Sequence, residues 1–351
     1  MPQLTPENRL ALLMHEASNA SHGKMGFGLL RYGVAPVVAV IDRARAGHDM
    51  GEGSGIPQAR GIPIVASVAE ALAYGPDVLI PAIAPAGGVL PADWWPDVLE
   101  GLKAGLSLVN GLHEPLARHP EVVPLLTRAR QFVWDIRQEP PGLDNGSGRA
   151  RELSARRVLF VGTDMANGKM TAALELHRAA AAAGQRSAFV ATGQIGIAIA
   201  GDGVPLDAVR VDFASGAVEK WVLEKGRDAD VVFVEGQGSL LHPASTATLA
   251  LLRGTMPTHL ILVHRAGQAT VRRAPWAEIP PLSEVVRLYE AVASAGGALS
   301  PAARVAGIAL NTAELAEPEA RQAVEAARRE TGLPVTDVVR FGPEPLLAAV
   351  S

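Results

Sequence analysis

Short apolar runs alternate along the chain with polar or amphipathic stretches, and this alternation predicts strands and helices in turn. In the first part, strands are expected over Leu10 to Met14, Pro36 to Ile41, Ile62 to Ser67, Asp77 to Ile80, Leu106 to Val109 and Phe132 to Ile136. Helices are expected over Val68 to Tyr74, Asp97 to Ala104 and Glu121 to Arg130. Glu16 to Gly33, with His22, Gly23, Lys24, Gly26 and Gly28, reads as a glycine-rich loop, either a second anion site around Lys24 or a turn with a solvated lysine. Gln138 to Ser154 is polar, rich in Pro and Gly, and has no apolar periodicity, so it marks a boundary. The first domain is placed at 1–138, a linker at 139–154 and a second domain at 155–351.

The second part repeats the alternation. Strands are expected over Val158 to Val161, Ser187 to Thr192, Asp230 to Val234, Thr258 to His264, Val305 to Leu310 and Leu333 to Val338. Helices are expected over Thr171 to Ala183, Val218 to Gly226, Thr248 to Arg253, Leu282 to Ala295 and Glu317 to Glu330. Strands joined through helices run parallel, so both halves read as α/β: a Rossmann-like sheet, then a P-loop NTPase-like parallel sheet.

Composition narrows the function. The net charge of -4 supplies no global basic surface, which argues against nucleic acid as a partner. There is no cysteine, which removes disulfides, thiolate catalysis and Cys-based metal centres. Histidines are scattered without zinc-ligand spacing, and the GxSxG elbow of serine hydrolases is absent. No run reaches about 18 apolar residues and the N-terminus lacks a signal-peptide layout, so a cytoplasmic protein without a membrane partner is expected. Trp94 and Trp95 point to core cover or to an interface in a homo-oligomer.

The chemistry concentrates between Arg157 and Thr171, RVLFVGTDMANGKMT. An apolar strand runs into Gly162-Thr163-Asp164-Met165-Ala166-Asn167-Gly168, then Lys169, then a helix. Backbone N–H groups of such a loop and of the first helical turn have no partner inside the helix, and with a lysine they converge on an anion. The usual Ser or Thr after the lysine, whose hydroxyl meets Mg²⁺, is Met170 here, and Thr171 stands one position on. Five residues rather than four separate Gly162 from Gly168.

A second signal is Val234 to Ser239, VEGQGS, which sets the Glu235 carboxylate at a strand tip before Gly236, Gln237 and Gly238. An acid beside a lysine loop can hold Mg²⁺ or a water near phosphates. His242 can act as a general base or can bond a backbone carbonyl. Gly193 and Gln194 follow a strand and can close over a ligand, and His264 and Arg265 end another. In the first half, Asp42 stands where dinucleotide folds read ribose hydroxyls, but no GxGxxG precedes it; Gly87-Gly88 lies just past a strand.

The lysine loop with Glu235-Gly-Gln-Gly-Ser239 resembles dethiobiotin synthetase and related deviant P-loop enzymes. That resemblance implies phosphates held by Gly168 and Lys169, metal held by Asp164 and Glu235, adenine read by Asn311, and ATP with Mg²⁺ as cofactors. A longer resemblance is to a two-domain bacterial family with a Rossmann-like N-terminal half and a P-loop-like C-terminal half. It is carried by SHGKMGFGLLRYG, APAGGVLPADWW, NGLHEPL, VGTDMANGKMTAALEL and VEGQGSLLHPA. Some members are associated with N-acetylation of D-glutamate, which implies acetyl-CoA as donor and an acidic amino acid as substrate. On that implication Glu235 or His242 is the base, with Lys169 on the phosphates. Gly236 to Gly238 then offer oxyanion donors, and Arg265 or Lys24 holds the substrate carboxylates. Two other readings stay open: an ATP-dependent ligase or kinase, and a nucleotide- or CoA-binding regulator without turnover.

Overall fold

The computed structural model describes residues 4–19, 23–52, 54–83, 88–299 and 303–351; His22 and Gly87 lie outside them. The chain divides into two compact units, Met1–Glu139 with Gln194–Ala208, and Pro140–Gly193 with Val209–Ser351.

In the first unit the elements follow one another as β1 (Leu10–Leu13), α1 (Lys24–Tyr32), β2 (Val37–Ile41), β3 (Ile64–Val65), α2 (Val68–Ala71), β4 (Val78–Pro81), α3 (Trp95–Ala104), β5 (Ser107–Asn110) and β6 (Val133–Asp135). The sheet order is β3-β2-β1-β4-β5-β6 with every pair parallel. That is the doubly wound order of dinucleotide folds, with the reversal between β1 and β4. β1 is fully buried, as a strand covered on both faces must be.

Helix α1 corrects the loop expected from the glycines. Its Gly26 N–H donates to Ala82 O at 3.0 Å, and a Cβ there would stand 2.2 Å from the Met14 sulfur. The glycine is spent on close helix–strand approach rather than on a turn. The expected helix over Glu121 to Arg130 is a single 3₁₀ turn, Val123–Leu125. Pro124 falls inside it and has no N–H to extend the ladder. Trp94 is buried edge-on against His15 at 5.3 Å, and Trp95 bonds Glu121 at 3.2 Å, so both indoles are engaged within this unit.

The second unit opens with β7 (Arg156–Gly162), α4 (Lys169–Ala182) and β8 (Ser187–Val190). The chain then contributes α5 (Gln194–Ala200) to the first unit. There Val34 N–H donates to Ile199 O at 3.2 Å, and Asp207 pairs with Arg137. Returning, it adds α6 (Ala214–Gly226), β9 (Val231–Val234), α7 (Ala247–Thr255), β10 (His259–Arg265), β11 (Thr270–Val271), β12 (Ala274–Glu278), α8 (Leu282–Ala293), β13 (Arg304–Asn311), α9 (Glu317–Thr331), β14 (Val335–Thr336) and α10 (Glu344–Ala349). The main sheet, β14-β13-β10-β7-β9-β8, is parallel throughout. Val158 to Phe160, Val231 to Val234 and Leu260 to Leu262 are wholly buried in its centre. β11 and β12 form an antiparallel hairpin outside this sheet. Among the described residues no helix is long and apolar enough to cross a membrane.

Candidate phosphate site in the second unit

β7 sits between β10 and β9 in the sheet, so its carboxyl end delivers the glycine loop to the middle of the sheet edge where α/β proteins place ligands. The loop reverses through Ala166 at φ +53° and Gly168 at φ +114° before α4 begins at Lys169. The Lys169 ammonium is buried and folded back over the loop. It donates to the Asp164 carbonyl at 2.7 Å and to Asn167 Oδ1 at 3.2 Å. Burial pulls its pKa down to about 8, while the charges of Asp164 and Glu235 hold it up. Two strand-end glycines make room for this side chain. A Cβ on Gly162 would stand 3.0 Å from Nζ, and one on Gly236 would stand 2.8 Å from Lys169 Cδ and 1.6 Å from Phe160 O.

Neighbouring strands clamp the loop. Asn167 Nδ2 donates to Val263 O at 2.6 Å, and Thr163 N–H to the same carbonyl at 3.1 Å. Asn311 donates Nδ2 to Asn167 O at 3.1 Å and accepts from Ala313 N–H at 3.1 Å, so its amide is turned to backbone. Thr163 Oγ1 lies 2.9 Å from His264 Nδ1, and burial pushes that histidine down to about 4, which keeps it neutral at pH 7. Tyr289, on α8, donates to Gly162 O at 2.7 Å and accepts from Leu240 N–H at 3.1 Å. Its burial raises the phenol pKa.

Glu235 stands just past the end of β9, close enough for its charge to act on Lys169. Its Oε2 accepts from Thr192 N–H at 2.9 Å and Gly193 N–H at 3.2 Å. Thr192 Oγ1 donates to Glu235 O at 2.8 Å, fixing the acid from a second direction. Gln237 packs against Gly193, where a Cβ would stand 2.1 Å from its Nε2. Gly238 takes φ +70°, a conformation open to glycine at no steric cost.

His242 has both ring nitrogens on backbone, Nε2 at 3.1 Å from Arg272 O and Nδ1 accepting from Ala244 N–H at 3.1 Å. The Asp164 carboxylate is fully buried: Oδ1 accepts from Met165 N–H at 2.6 Å, and Oδ2 from Gln268 Nε2 at 2.5 Å and Arg272 N–H at 2.8 Å. Arg265 pairs with Glu314 at 2.5 Å and reaches Ala166 O at 3.5 Å. Met170 and Thr171 are half-buried in the first turn of α4.

The structure therefore brings together Gly162, Thr163, Asp164, Asn167, Gly168, Lys169, Glu235, Gly236 and Asn311 around one loop. Lys24, exposed as the first residue of α1, and Gln194, the first residue of α5, belong to the first unit. There Gln194 lies beside Gly111, whose Cβ would stand 3.5 Å from its Cγ. Asp42, at the ribose-reading position of that unit, spends its carboxylate on Ser18 Oγ and on the N–H groups of Glu16 and Ala44, both at 3.1 Å. Sequence reasoning missed Thr192, Gln268, Arg272 and Tyr289. Thr192 carried a readable signal, a hydroxyl just past a strand end; Tyr289 lay inside an ordinary amphipathic helix and carried none.

What this arrangement can do is hold an anion. A buried ammonium, a glycine cradle and the start of a helix converge, with an acid nearby. Among the described residues no group of three His, Asp or Glu side chains stands as a metal-ligand set.

Comparisons with known proteins agree with this geometry. The family model described as "Domain of unknown function (DUF1611_C) P-loop domain" matches residues 144–347. That described as "Domain of unknown function (DUF1611_N) Rossmann-like domain" matches residues 43–139. A D-glutamate N-acetyltransferase of Pseudoalteromonas sp is 32% identical over 283 residues, 80% of this chain and 83% of that protein. Another protein of that name, from Tritonibacter scottomollicae, is 34% identical over 283 residues with the same coverage. The crystal structure of a DUF1611 family protein from Anabaena variabilis is 56% identical, covers 98% of this chain and 99% of that one, and superposes with a TM-score of 0.94. Loop, sheet order and these likenesses converge: the chain belongs to the DUF1611 family, built from a Rossmann-like N-terminal domain and a P-loop C-terminal domain.

Proposed function

We propose that this protein transfers the acetyl group of acetyl-CoA to the amine of D-glutamate or a similar acidic amino acid. The observation that carries the reading is a lysine loop built for phosphate but poor in groups for Mg²⁺, in a chain whose relatives are named D-glutamate N-acetyltransferases. A phosphate fits the residues present: the Lys169 ammonium rests on a carbonyl and an amide oxygen that an anion would replace. A hard cation fits them less well. Met170 offers only a thioether, both Asp164 oxygens already accept hydrogen bonds, and Glu235 Oε2 accepts two.

Acetyl-CoA, when bound, would supply the thioester carbonyl that the amine attacks; the C–N bond forms as the C–S bond breaks, and CoA leaves as the free thiol with the proton the amine gave up. Lys169 and the N–H groups of the loop and the first turn of α4 hold a phosphate of the donor. Glu235 takes the proton that the amine must lose, since His242 commits both nitrogens to backbone. Backbone N–H groups of Gly236 to Gly238 serve the charge that develops on the carbonyl oxygen. Arg265 holds the substrate carboxylates.

The acid beside the lysine also suits an ATP-dependent enzyme of dethiobiotin-synthetase type, and one experiment separates the readings. Purified protein is incubated with D- or L-glutamate and either acetyl-CoA or ATP with Mg²⁺, and products are weighed by mass spectrometry. An N-acetyl product with the D-isomer supports the proposal. A phosphorylated or ligated product, or none with either donor, overturns it.

A further inference from the structure

The β11–β12 hairpin lies beside the lysine loop, and neither strand–helix alternation nor the phosphate-loop pattern explains it. Its fastening is unusual. Arg272, at its tip, gives its N–H to Asp164 Oδ2 at 2.8 Å and receives His242 Nε2 on its carbonyl at 3.1 Å. Gln268, at the base, gives Nε2 to the same Asp164 oxygen at 2.5 Å and to Thr270 O at 2.9 Å. One peptide unit after another is thus tied to the loop after β7 and to the loop after β9. The two acceptor and donor side chains doing so, Asp164 and His242, are buried.

The tip itself is Arg272-Arg273, the two residues between the paired Val271 and Ala274. Two-residue hairpin connections favour Asn, Asp or Gly, because at least one position needs a positive φ. Here Arg273 takes φ +63°. A residue with a Cβ meets a steric penalty in that region, and such outliers persist where surrounding contacts over-determine them and cluster at functional sites. Both arginines are exposed, and among the described residues neither guanidinium has a hydrogen bond or ion pair. Two unneutralised planar cations therefore stand on a backbone latched to the lysine loop. Guanidinium is the side-chain group best matched to phosphate oxygens, through paired N–H donors.

We propose that Arg272 and Arg273 form a second anion subsite, which reads phosphate groups of the same ligand whose other phosphate lies on the Lys169 loop. The ligand class is a nucleotide carrying several phosphates. The proposal rests on the acetyl-CoA reading for the choice of CoA, in which the subsite takes the 3′-phosphate or the second phosphate of the pyrophosphate. Asp164 then acts as a positioning residue: it holds the hairpin, and through it the two guanidiniums, over the loop.

The test is isothermal titration of the full chain with CoA and with dephospho-CoA, which lacks the 3′-phosphate. The double variant Arg272→Ala with Arg273→Gly removes both charges, keeps the backbone N–H and carbonyl that make the latch, and relaxes the positive φ. Its melting temperature should equal or exceed that of the parent protein, while its affinity for CoA should fall at least tenfold. A loss confined to CoA assigns the 3′-phosphate, an equal loss for dephospho-CoA assigns the pyrophosphate, and either supports the subsite. Arg272→Lys with Arg273→Lys should recover part of the affinity. CoA binding within twofold of the parent protein overturns the proposal, as does an effect confined to the KM of the amino-acid substrate. A parent protein that binds ATP but not CoA removes the acetyl-CoA reading alone. The same variants are then titrated with ATP, where a tenfold loss upholds the subsite and no loss overturns it. A parent protein that binds neither nucleotide overturns both.

Discussion

Replacing Lys169 by Met should make the protein more stable at neutral pH while abolishing its hold on phosphate. The folded chain buries this ammonium and lowers its pKa from the ordinary 10.5 to about 8. That difference corresponds to about 3 kcal/mol spent at pH 7 on keeping a buried charge. Methionine removes the charge and keeps the stem that packs on Gly236. It also strands two acceptors, Asp164 O and Asn167 Oδ1, at about 1 kcal/mol each. The net expectation is a gain of about 1 kcal/mol at pH 7. The pH dependence carries the sharper signature. Between pH 8 and 10.5 the unfolded chain binds the Lys169 proton and the folded chain has released it, so parent stability rises with pH across that window. The variant lacks this rise, and its advantage shrinks from pH 8 upward until the parent is the more stable. Urea midpoints of both proteins at pH 7 and pH 10, compared as differences, read the effect, and titration with a phosphate ligand reads the loss of binding. A variant less stable than its parent at pH 7, with a parallel pH slope, would refute the account of Lys169 as a buried cation whose desolvation outweighs the pull of Asp164 and Glu235.

Three further outcomes follow from the same geometry. Glu235→Gln should lower kcat by roughly 10²- to 10⁴-fold, the range for removing a general base, with the CoA dissociation constant within about twofold; steady-state kinetics and titration separate the two. Gly236→Ala places a Cβ 1.6 Å from Phe160 O, so the β7–β9 junction must part; a loss of about 3 kcal/mol or failure to fold is expected by denaturation or by soluble yield. His264 is held neutral with its pKa near about 4 in the fold. Its unfolded form takes up a proton as pH falls through about 6.5 and the folded form only near 4, so the parent loses stability across that interval, by up to about 3 kcal/mol. His264→Asn should flatten this part of the stability–pH curve, measured as the difference between the two proteins.

The central strands were legible because a parallel strand buried on both faces is a continuous apolar run. Val158 to Val161 and Val231 to Val234 needed no other information. The lysine loop was legible because strand, glycine turn, lysine and helix lie within fifteen residues of sequence, Arg157 to Thr171. Helix α1 was not, because Gly26 looks like a turn residue until the Met14 sulfur lying against it is known. Helix α5 hid for a related reason, with Gly193 and Gly196 flanking its start and Gly201 after it. The hairpin carries Pro275 and two arginines in a strand–turn–strand too short for any period to register. The two distant partners of Asp164 could not be read at all, since they lie 104 and 108 residues away along the chain and one of them is a backbone N–H.

The excursion of residues 194–208 into the first unit has a consequence for how the protein is made. A chain emerging from the ribosome has 139 residues of its first unit in hand, but α5 and the Asp207 partner of Arg137 arrive only after β7, α4 and β8 of the second. The first half cannot finish before synthesis of the second has begun. A gene cut at residue 139 would yield an N-terminal fragment with an uncovered flank where Val34 should meet Ile199, and only a chain that also carries residues 194–208 completes that unit.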